Sequence, residues 1–243
     1  MTISLDTGSL DTRRYTVGMA TSPADLRDAQ RLRYAVFGEE MGARLDSPVS
    51  GLDADRFDTY CDHLLVRDGA EVVGTYRLLP PGRVDKLYSE HEFDLTNLAP
   101  LRKGLVEAGR TCVHPDHRDG TVVTLLWAGI ARYMVSEGHQ WLAGCCSVPL
   151  DDGGLVARAV VEQVPLGPEE HRVMPLSPWR SRKKALPDRF VPPPLLRGYL
   201  RLGAWVCGAP AHDPDFGTAD FFMLLSMDNI NPRYLRFFLG EPL

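Results

Sequence analysis

"LVEAGRTCVH", Leu105 to His114, runs directly into "PDHRDG", Pro115 to Gly120, and then into "TVVTLLWAGIARYM", Thr121 to Met134. The first segment reads as a strand, with Val106, Ala108, Cys112 and Val113 among small or apolar neighbours. The last reads as an apolar helix, which Gly138 ends. Between them lies a short polar turn. A strand, a tight turn and a helix in succession are the unit from which α/β sheets are built. Yet the strand carries Glu107 and Arg110, which a buried strand does not favour. Strict alternation puts them on opposite faces, because their spacing is odd. Gly109 lies between them, and glycine in a strand often marks a bulge. One extra residue there brings both charges to one face. A buried ion pair is a poor source of stability, so its presence leans toward function.

Outward from this stretch the elements alternate. "YTVGMA" (15–20) is a strand, and Ser22-Pro23-Ala24-Asp25 starts a helix, with Ser22 as N-cap and Pro23 in the first turn. That helix carries Leu26, Ala29, Leu32, Val36 and Phe37 on one face, and Gly42 can end it. "HLLVRDGAEVVGTYRLLP" (63–80) is a hairpin turning at Asp68-Gly69. "WLAGCCSV" (141–148) is a strand, and Gly153 to Gln163 a helix. Strand pattern resumes in "LGAWVCG" and "DFFMLLSM", and Asn231-Pro232 begins a last helix. The order β-α-β-β-β-α-β-α-β-β-α predicts a mixed sheet with helices on both faces.

The chain has 243 residues, which suits one domain over 15–243 behind a polar tail over 1–14. A Pro-rich, basic excursion interrupts it at about 164–194. The net charge of -5 does not suggest nucleic-acid binding. The first residues contain no apolar core of a signal peptide, and no run approaches the roughly 18–20 apolar residues of a membrane span. Five cysteines without a C-x-x-C pair predict reduced, cytoplasmic thiols and not a disulfide framework or zinc site.

Several residues carry chemistry. Arg77 shares a strand face with Val73, Thr75 and Leu79, so its guanidinium needs an anion there, from the protein or from a ligand. Asp55 and Asp58 stand ahead of that hairpin and are placed to hold Arg77 or a substrate ammonium. The turn His117-Arg118-Asp119-Gly120 opens a helix whose first N–H groups lack intrahelical partners, which suits a phosphate-bearing group. Its alternative is a solvated turn. Cys112, Cys145 and Cys146 read as core residues and not as nucleophiles. His114, Asp116 and His117 are too contiguous for a complete metal set, and no metal is expected.

Taken together, "RLRYAVFGEEMGA", "DRFDTYCDHLLV", "VVGTYRLLP" and "EAGRTCVHPDHRDG" followed by "LLWAGIARYM" resemble successive blocks of one branch of the GNAT superfamily. That branch holds the ornithine-lipid N-acyltransferases and the long-chain N-acyl amino acid synthases, with the acyl-homoserine-lactone synthases more distant. "PPLLRGYLRLGAWVCG" and "DPDFGTADFFMLLSM" with "RYLRFF" resemble the later blocks of the ornithine-lipid group. The likeness spans Tyr15 to Phe238 and is specific as a set.

The resemblance implies an α/β, GNAT-like, mixed and mainly antiparallel sheet. It implies transfer of a long-chain, 3-hydroxy fatty acyl group from an acyl carrier protein thioester to the α-amine of ornithine. An acetyl coenzyme A enzyme, or synthesis of another N-acyl amino acid or a homoserine-lactone-type signal, is the alternative. No cofactor is bound permanently; the donor is acyl carrier protein phosphopantetheine or acyl coenzyme A. By the same resemblance Arg33, Phe37, Asp55 and Asp58 bind substrate, and Glu107, Arg110 and Arg77 are catalytic. Val113, His117, Arg118 and Gly120 hold the donor. In His117-x-x-Gly120-x-Val122 the usual Gly-rich pyrophosphate loop keeps one glycine, which favours a donor with one phosphate. Glu107 can take the ammonium proton, and Arg77 or Arg110 the amino acid carboxylate. The partners are the carrier protein and the amino acid, with no nucleic acid. The segment from Trp179 to Lys184 suits an acidic carrier protein or a peripheral contact with anionic membrane.

Overall fold

Alternation along the strand Glu71–Leu79 separates two environments. Tyr76 meets Trp127 edge to face, with ring centroids 6.3 Å apart, and a Cβ at Gly74 would touch Val122 and Leu126. The odd residues turn the other way, where Arg77 reaches Asp55 and Asp58. One face is therefore apolar and the other carries charge, and a helix stands against each.

In this computed structural model the described residues are 14–181, 186 and 190–240. The expected tail over 1–14, save Arg14, lies outside them, as do residues 182–184 of the basic run. The elements are β1 (Tyr15–Met19), α1 (Pro23–Arg33), β2 (Asp62–Asp68), β3 (Glu71–Leu79), β4 (Phe93–Asp94), β5 (Leu105–Val113) and α2 (Thr121–Ser136). Then come β6 (Trp141–Pro149), α3 (Leu155–Gln163), β7 (Met174–Pro175), α4 (Pro194–Leu202), β8 (Trp205–Val206), β9 (Ala211–Asp213), β10 (Thr218–Ser226) and α5 (Pro232–Leu239). 3-10 segments, the longest over Thr96–Gly104, and one π-helical stretch join them.

The chain forms two compact units. Of the described residues, the first comprises 14–83, 108–139 and 232–240. Its strands follow the order β1-β2-β3-β5, with β1, β2 and β3 antiparallel. α1 begins as its sequence dictates: Ser22 and Asp25 form a reciprocal capping box, and Pro23 sits in the first turn. The helix does not continue to Gly42 in α form. At Tyr34–Glu40 it widens into a π-helix, a rare geometry that frequently marks functional sites, before Gly42 turns the chain at φ 68°. α2 covers the even face of β2 and β3; a Cβ on Gly129 would lie 2.7 Å from Leu64 Cδ2, so this glycine lets helix and strand approach. Leu64, Val66, Val122, Leu125 and Leu126 are buried between them.

The second unit comprises residues 84–107 and 140–231. Its sheet runs β5-β6-β10-β8, with β9 also on β10, and β4 pairs β7 separately. β5 and β6 are parallel, while β6 and β10 are antiparallel along nine residue pairs, which makes the sheet mixed and mainly antiparallel. Every residue of β10 is buried, so its near-continuous apolar run is that of a central strand. The sequence missed α4, whose Pro-Pro-Pro approach reads as irregular although Pro194 opens the helix. "LGAWVCG" contributes only the two-residue β8. The excursion at 164–194 includes the short β7 and Gly167, whose Cβ would lie 2.5 Å from that of Trp205.

Candidate active site

In the first unit, six charged side chains form a lattice beneath the odd face of β3. Arg33, at the last turn of α1, bonds Asp58 Oδ1 and Oδ2 at 3.0 and 2.9 Å and Asp53 Oδ2 at 2.9 Å. Its Nη2 also donates to the Asp53 carbonyl. Arg77 Nη1 bonds both oxygens of Asp55 at 2.7 Å and Asp58 Oδ1 at 2.9 Å. Gln30 donates to Asp58 Oδ2 at 2.8 Å, and His63 Nε2 meets the Asp58 carbonyl at 3.0 Å. Arg110 stands further off, 3.5 Å from Asp53 and 3.9 Å from Asp55, with its guanidinium carbon 6.0 Å from the centre of the Phe37 ring.

Burial alone works against ionising Asp58, but hydrogen bonds and charge from Arg33, then the charge of Arg77, hold its carboxyl well below the usual range. Burial likewise opposes the charge on Arg77, and Asp55 more than compensates, so its guanidinium is fixed in the charged form. His63 is pushed down by burial and stays neutral. The structure thus brings together Arg33, Phe37, Asp55, Asp58, Arg77 and Arg110 from four separate stretches of chain. Asp53 and Gln30 belong with them and escaped the sequence reading; Asp53, an acid between Leu52 and Ala54, looked like a solvated loop residue.

In β5 the left-handed backbone conformation falls on Arg110, at φ 51°. A left-handed backbone is costly for arginine, and such strain gathers at functional sites.

The turn before α2 is largely self-satisfied. Arg118 bonds the Val113 carbonyl at 3.0 Å and Glu40 at 2.6 and 2.7 Å. His117 Nδ1 lies 3.0 Å from the Tyr15 hydroxyl, and Asp119 accepts from the Thr121 N–H at 2.8 Å. Gly120, at φ 99°, caps the helix in a backbone shape that glycine allows.

In the second unit, Glu107 is 5% exposed and both its oxygens are held. Tyr88 N–H donates to Oε2 at 2.7 Å; Ser89 N–H and Oγ–H donate to Oε1 at 2.8 and 2.5 Å. Nearby, Glu92, Asp213 and Asp220 each bring one carboxylate oxygen within 4.8 Å of the others. Among the described residues this is the one cluster whose donor atoms stand close enough to share a cation, and the sequence pointed to none. Burial, then the charge of Asp220, pushes Glu92 up to about 9. Asp220 is raised by burial too. Cys145 is raised well above the thiol range, first by burial, so it is a thiol and not a thiolate. Separately, a groove of about 840 Å³ is walled by apolar residues including Leu166, Phe190, Pro192, Leu200 and Trp205. Trp179 packs on Gly154, whose Cβ would lie 2.5 Å from its ring. No described helix is long and apolar enough to cross a membrane.

Antiparallel strands with a helix behind a Gly-capped turn in the first unit, and the parallel pair β5-β6 continued by antiparallel β10 in the second, are the elements of the acetyltransferase (GNAT) class. The family model for the acetyltransferase (GNAT) domain matches residues 32–128. The chain is 38% identical to an L-ornithine Nα-acyltransferase of Brucella abortus, over 96% of this chain and 90% of that one. It is 34% identical to that of Agrobacterium fabrum, over 96% and 86%. The chain belongs to the L-ornithine Nα-acyltransferase family. Among solved structures, the CoA-dependent acyl-homoserine lactone synthase MesI shares the fold at TM-score 0.57 and 16% identity, covering 91% of this chain and 92% of that one. FeeM, an N-acyl amino acid synthase from uncultured soil microbes, does so at 0.57 and 13%, covering 88% and 93%.

Proposed function

We propose that this chain transfers a long-chain, 3-hydroxy fatty acyl group from an acyl carrier protein thioester to the α-amine of ornithine. The observation that carries the reading is on β5: a buried carboxylate fixed on both oxygens is followed, three residues on, by an arginine in strained backbone. Such preorganisation is the mark of a group that must act at a set position. The names of the relatives support ornithine as acceptor. The apolar groove of the second unit supports a long chain over an acetyl group.

In this reading the amine nitrogen attacks the thioester carbonyl. A C–N bond forms, the C–S bond breaks and the donor leaves as a thiol. Glu107 takes the proton that the attacking ammonium must lose, directly or through water. Arg77 is already engaged by Asp55 and Asp58 at 2.7–2.9 Å, whereas the ion pairs of Arg110 are longer. Arg77 or Arg110 is the group assigned to the amino acid carboxylate. Arg33, Asp53, Asp55 and Asp58 hold the frame in which Arg77 and Arg110 sit. Val113, His117, Arg118 and Gly120 are assigned to the donor, with Arg118 exchanging Glu40 for the phosphate. Half-buried Trp179 and exposed Arg180, with residues 181–184, are assigned to carrier-protein docking or an anionic membrane surface.

The test is mass spectrometry of lipids from a host that makes none, expressing the chain or its Glu107→Gln variant. An N-(3-hydroxyacyl)ornithine that appears with the first and vanishes with the second is the expected result. Acetylated amines alone, or an acylated amino acid other than ornithine, would replace this reading with the corresponding alternative.

A further inference from the structure

The parallel ladder of β5 on β6 extends only from Leu105–Trp141 to Glu107–Ala143. At its end one hydroxyl reaches both strands. Ser89 Oγ donates to Glu107 Oε1 at 2.5 Å and accepts from Cys145 Sγ at 3.5 Å. Cys145 lies two residues beyond Ala143 and so on the same strand face. Ser89 is 2% exposed and comes from the 3-10 turn Tyr88–His91, outside the sheet.

The direction of its proton follows from these partners. Cys145 is a thiol, so its hydrogen takes a lone pair of Ser89 Oγ. The single hydroxyl hydrogen is then directed at Glu107. The turn itself is anchored from behind. Glu90 accepts from the Leu87 N–H at 2.5 Å and from Arg102 at 2.8 Å, and Arg102 also bonds the Asp85 carbonyl at 2.8 Å. A rigid loop thus presents three donors to one carboxylate. Among the described residues of this unit, Glu92 and Cys145 both feel the charge of Glu107.

We propose that Ser89 is a positioning residue for the acyl transfer, fixing the Glu107 carboxylate where it must meet the amine. Ser89 keeps its own proton throughout; only Glu107 gains one. The inference rests on Glu107 being the base.

Steady-state kinetics of the purified chain with a long-chain acyl carrier protein thioester and ornithine test it. Ser89→Ala is expected to lower kcat about 10- to 100-fold, the worth of one hydrogen bond to a charged group. KM for both substrates should stay within about twofold, since the bond orients a reacting group and binds no substrate. The acid limb of kcat should move to higher pH, because a donor to the charged form is lost. Ser89→Thr, which restores the hydroxyl, should recover most of the rate. An unchanged kcat in Ser89→Ala overturns the inference, as does a loss that Ser89→Thr shares with an unmoved acid limb. If Ser89→Ala does not fold, Ser89→Cys keeps a weaker donor and must show a smaller kcat loss with KM unmoved. Glu107→Gln separates the two levels. Full activity there removes the base itself, while a dead Glu107→Gln beside a fully active Ser89→Ala removes only the role of Ser89.

Discussion

Arg33 and Asp58 meet fork to fork: Nη1 bonds Oδ1 at 3.0 Å and Nη2 bonds Oδ2 at 2.9 Å, with side chains 1% and 3% exposed. Such a pair gains little over well-packed apolar residues, but losing one member strands a buried charge. Arg33→Ala or Asp58→Ala should each cost about 3–5 kcal/mol in urea denaturation. The same pair gives an acid signature. Because the folded value of Asp58 is depressed, its contribution is present above the unfolded value of about 3.9 and is lost as pH falls through the folded one.

Glu92 acts in the opposite sense. Its folded value, about 9, lies above that of an unfolded glutamate, so the native state holds a proton that the unfolded chain gives up. The contribution is complete below about pH 4.3 and is lost as pH rises through 9. The slope is at most about 1.4 kcal/mol per pH unit for each proton. Thermal melts between pH 6 and 9 should show falling stability in the native chain and a flatter profile in Glu92→Gln. A cation shared by Glu92, Asp213 and Asp220 would reverse the sign, raising stability when the carboxylates ionise.

Gly74 tests the packing of α2 on β3. A Cβ there would stand 2.4 Å from Val122 Cγ1, on a β-branched and fully buried side chain with little room to rotate. Gly74→Ala should destabilise by about 1–3 kcal/mol. Gly18→Ala is the control, because nothing lies within 4 Å of its Cβ position.

Arg110 separates backbone strain from side-chain chemistry. Arg110→Ala and Arg110→Gly both remove the contacts to Asp53 and Asp55, but only glycine relieves the φ of 51°. Arg110→Gly should be more stable than Arg110→Ala by about 1 kcal/mol, while both lose acyl transfer alike. Equal stabilities would mean that the alanine variant relaxes out of the left-handed shape.

Much of the fold was legible because it follows local rules. The capping box at Ser22, the Asp68-Gly69 turn and the glycines after the helices punctuate elements whose periods are clear. What failed has a common cause. β4, β7 and β9 are two or three residues long, too short for any period; β4 and β7 exist by pairing each other, and β9 because the longer β10 accepts it. The π-helix after Arg33 keeps a helical pattern, so nothing in the letters separates it from α1. Of the polar clusters, Arg77 was readable because an arginine on an apolar strand face demands an anion. Asp220, in the fully buried "TADFFMLLS", offered the same signal and was passed over. Asp53 and Glu92 offered none, because an acid in a loop is ordinarily solvated; only tertiary contacts bury Asp53 and half-bury Glu92.

The two faces of β3 also limit how this chain can change length. Gly74 and Tyr76 belong to the α2 side, and Arg77 belongs to the acid side opposite His63. Inserting or deleting a single residue between Gly74 and Arg77 reverses that parity, driving a guanidinium into Val122 and Trp127. Indels there are survivable only in pairs, so length variation among working descendants must collect in the turns.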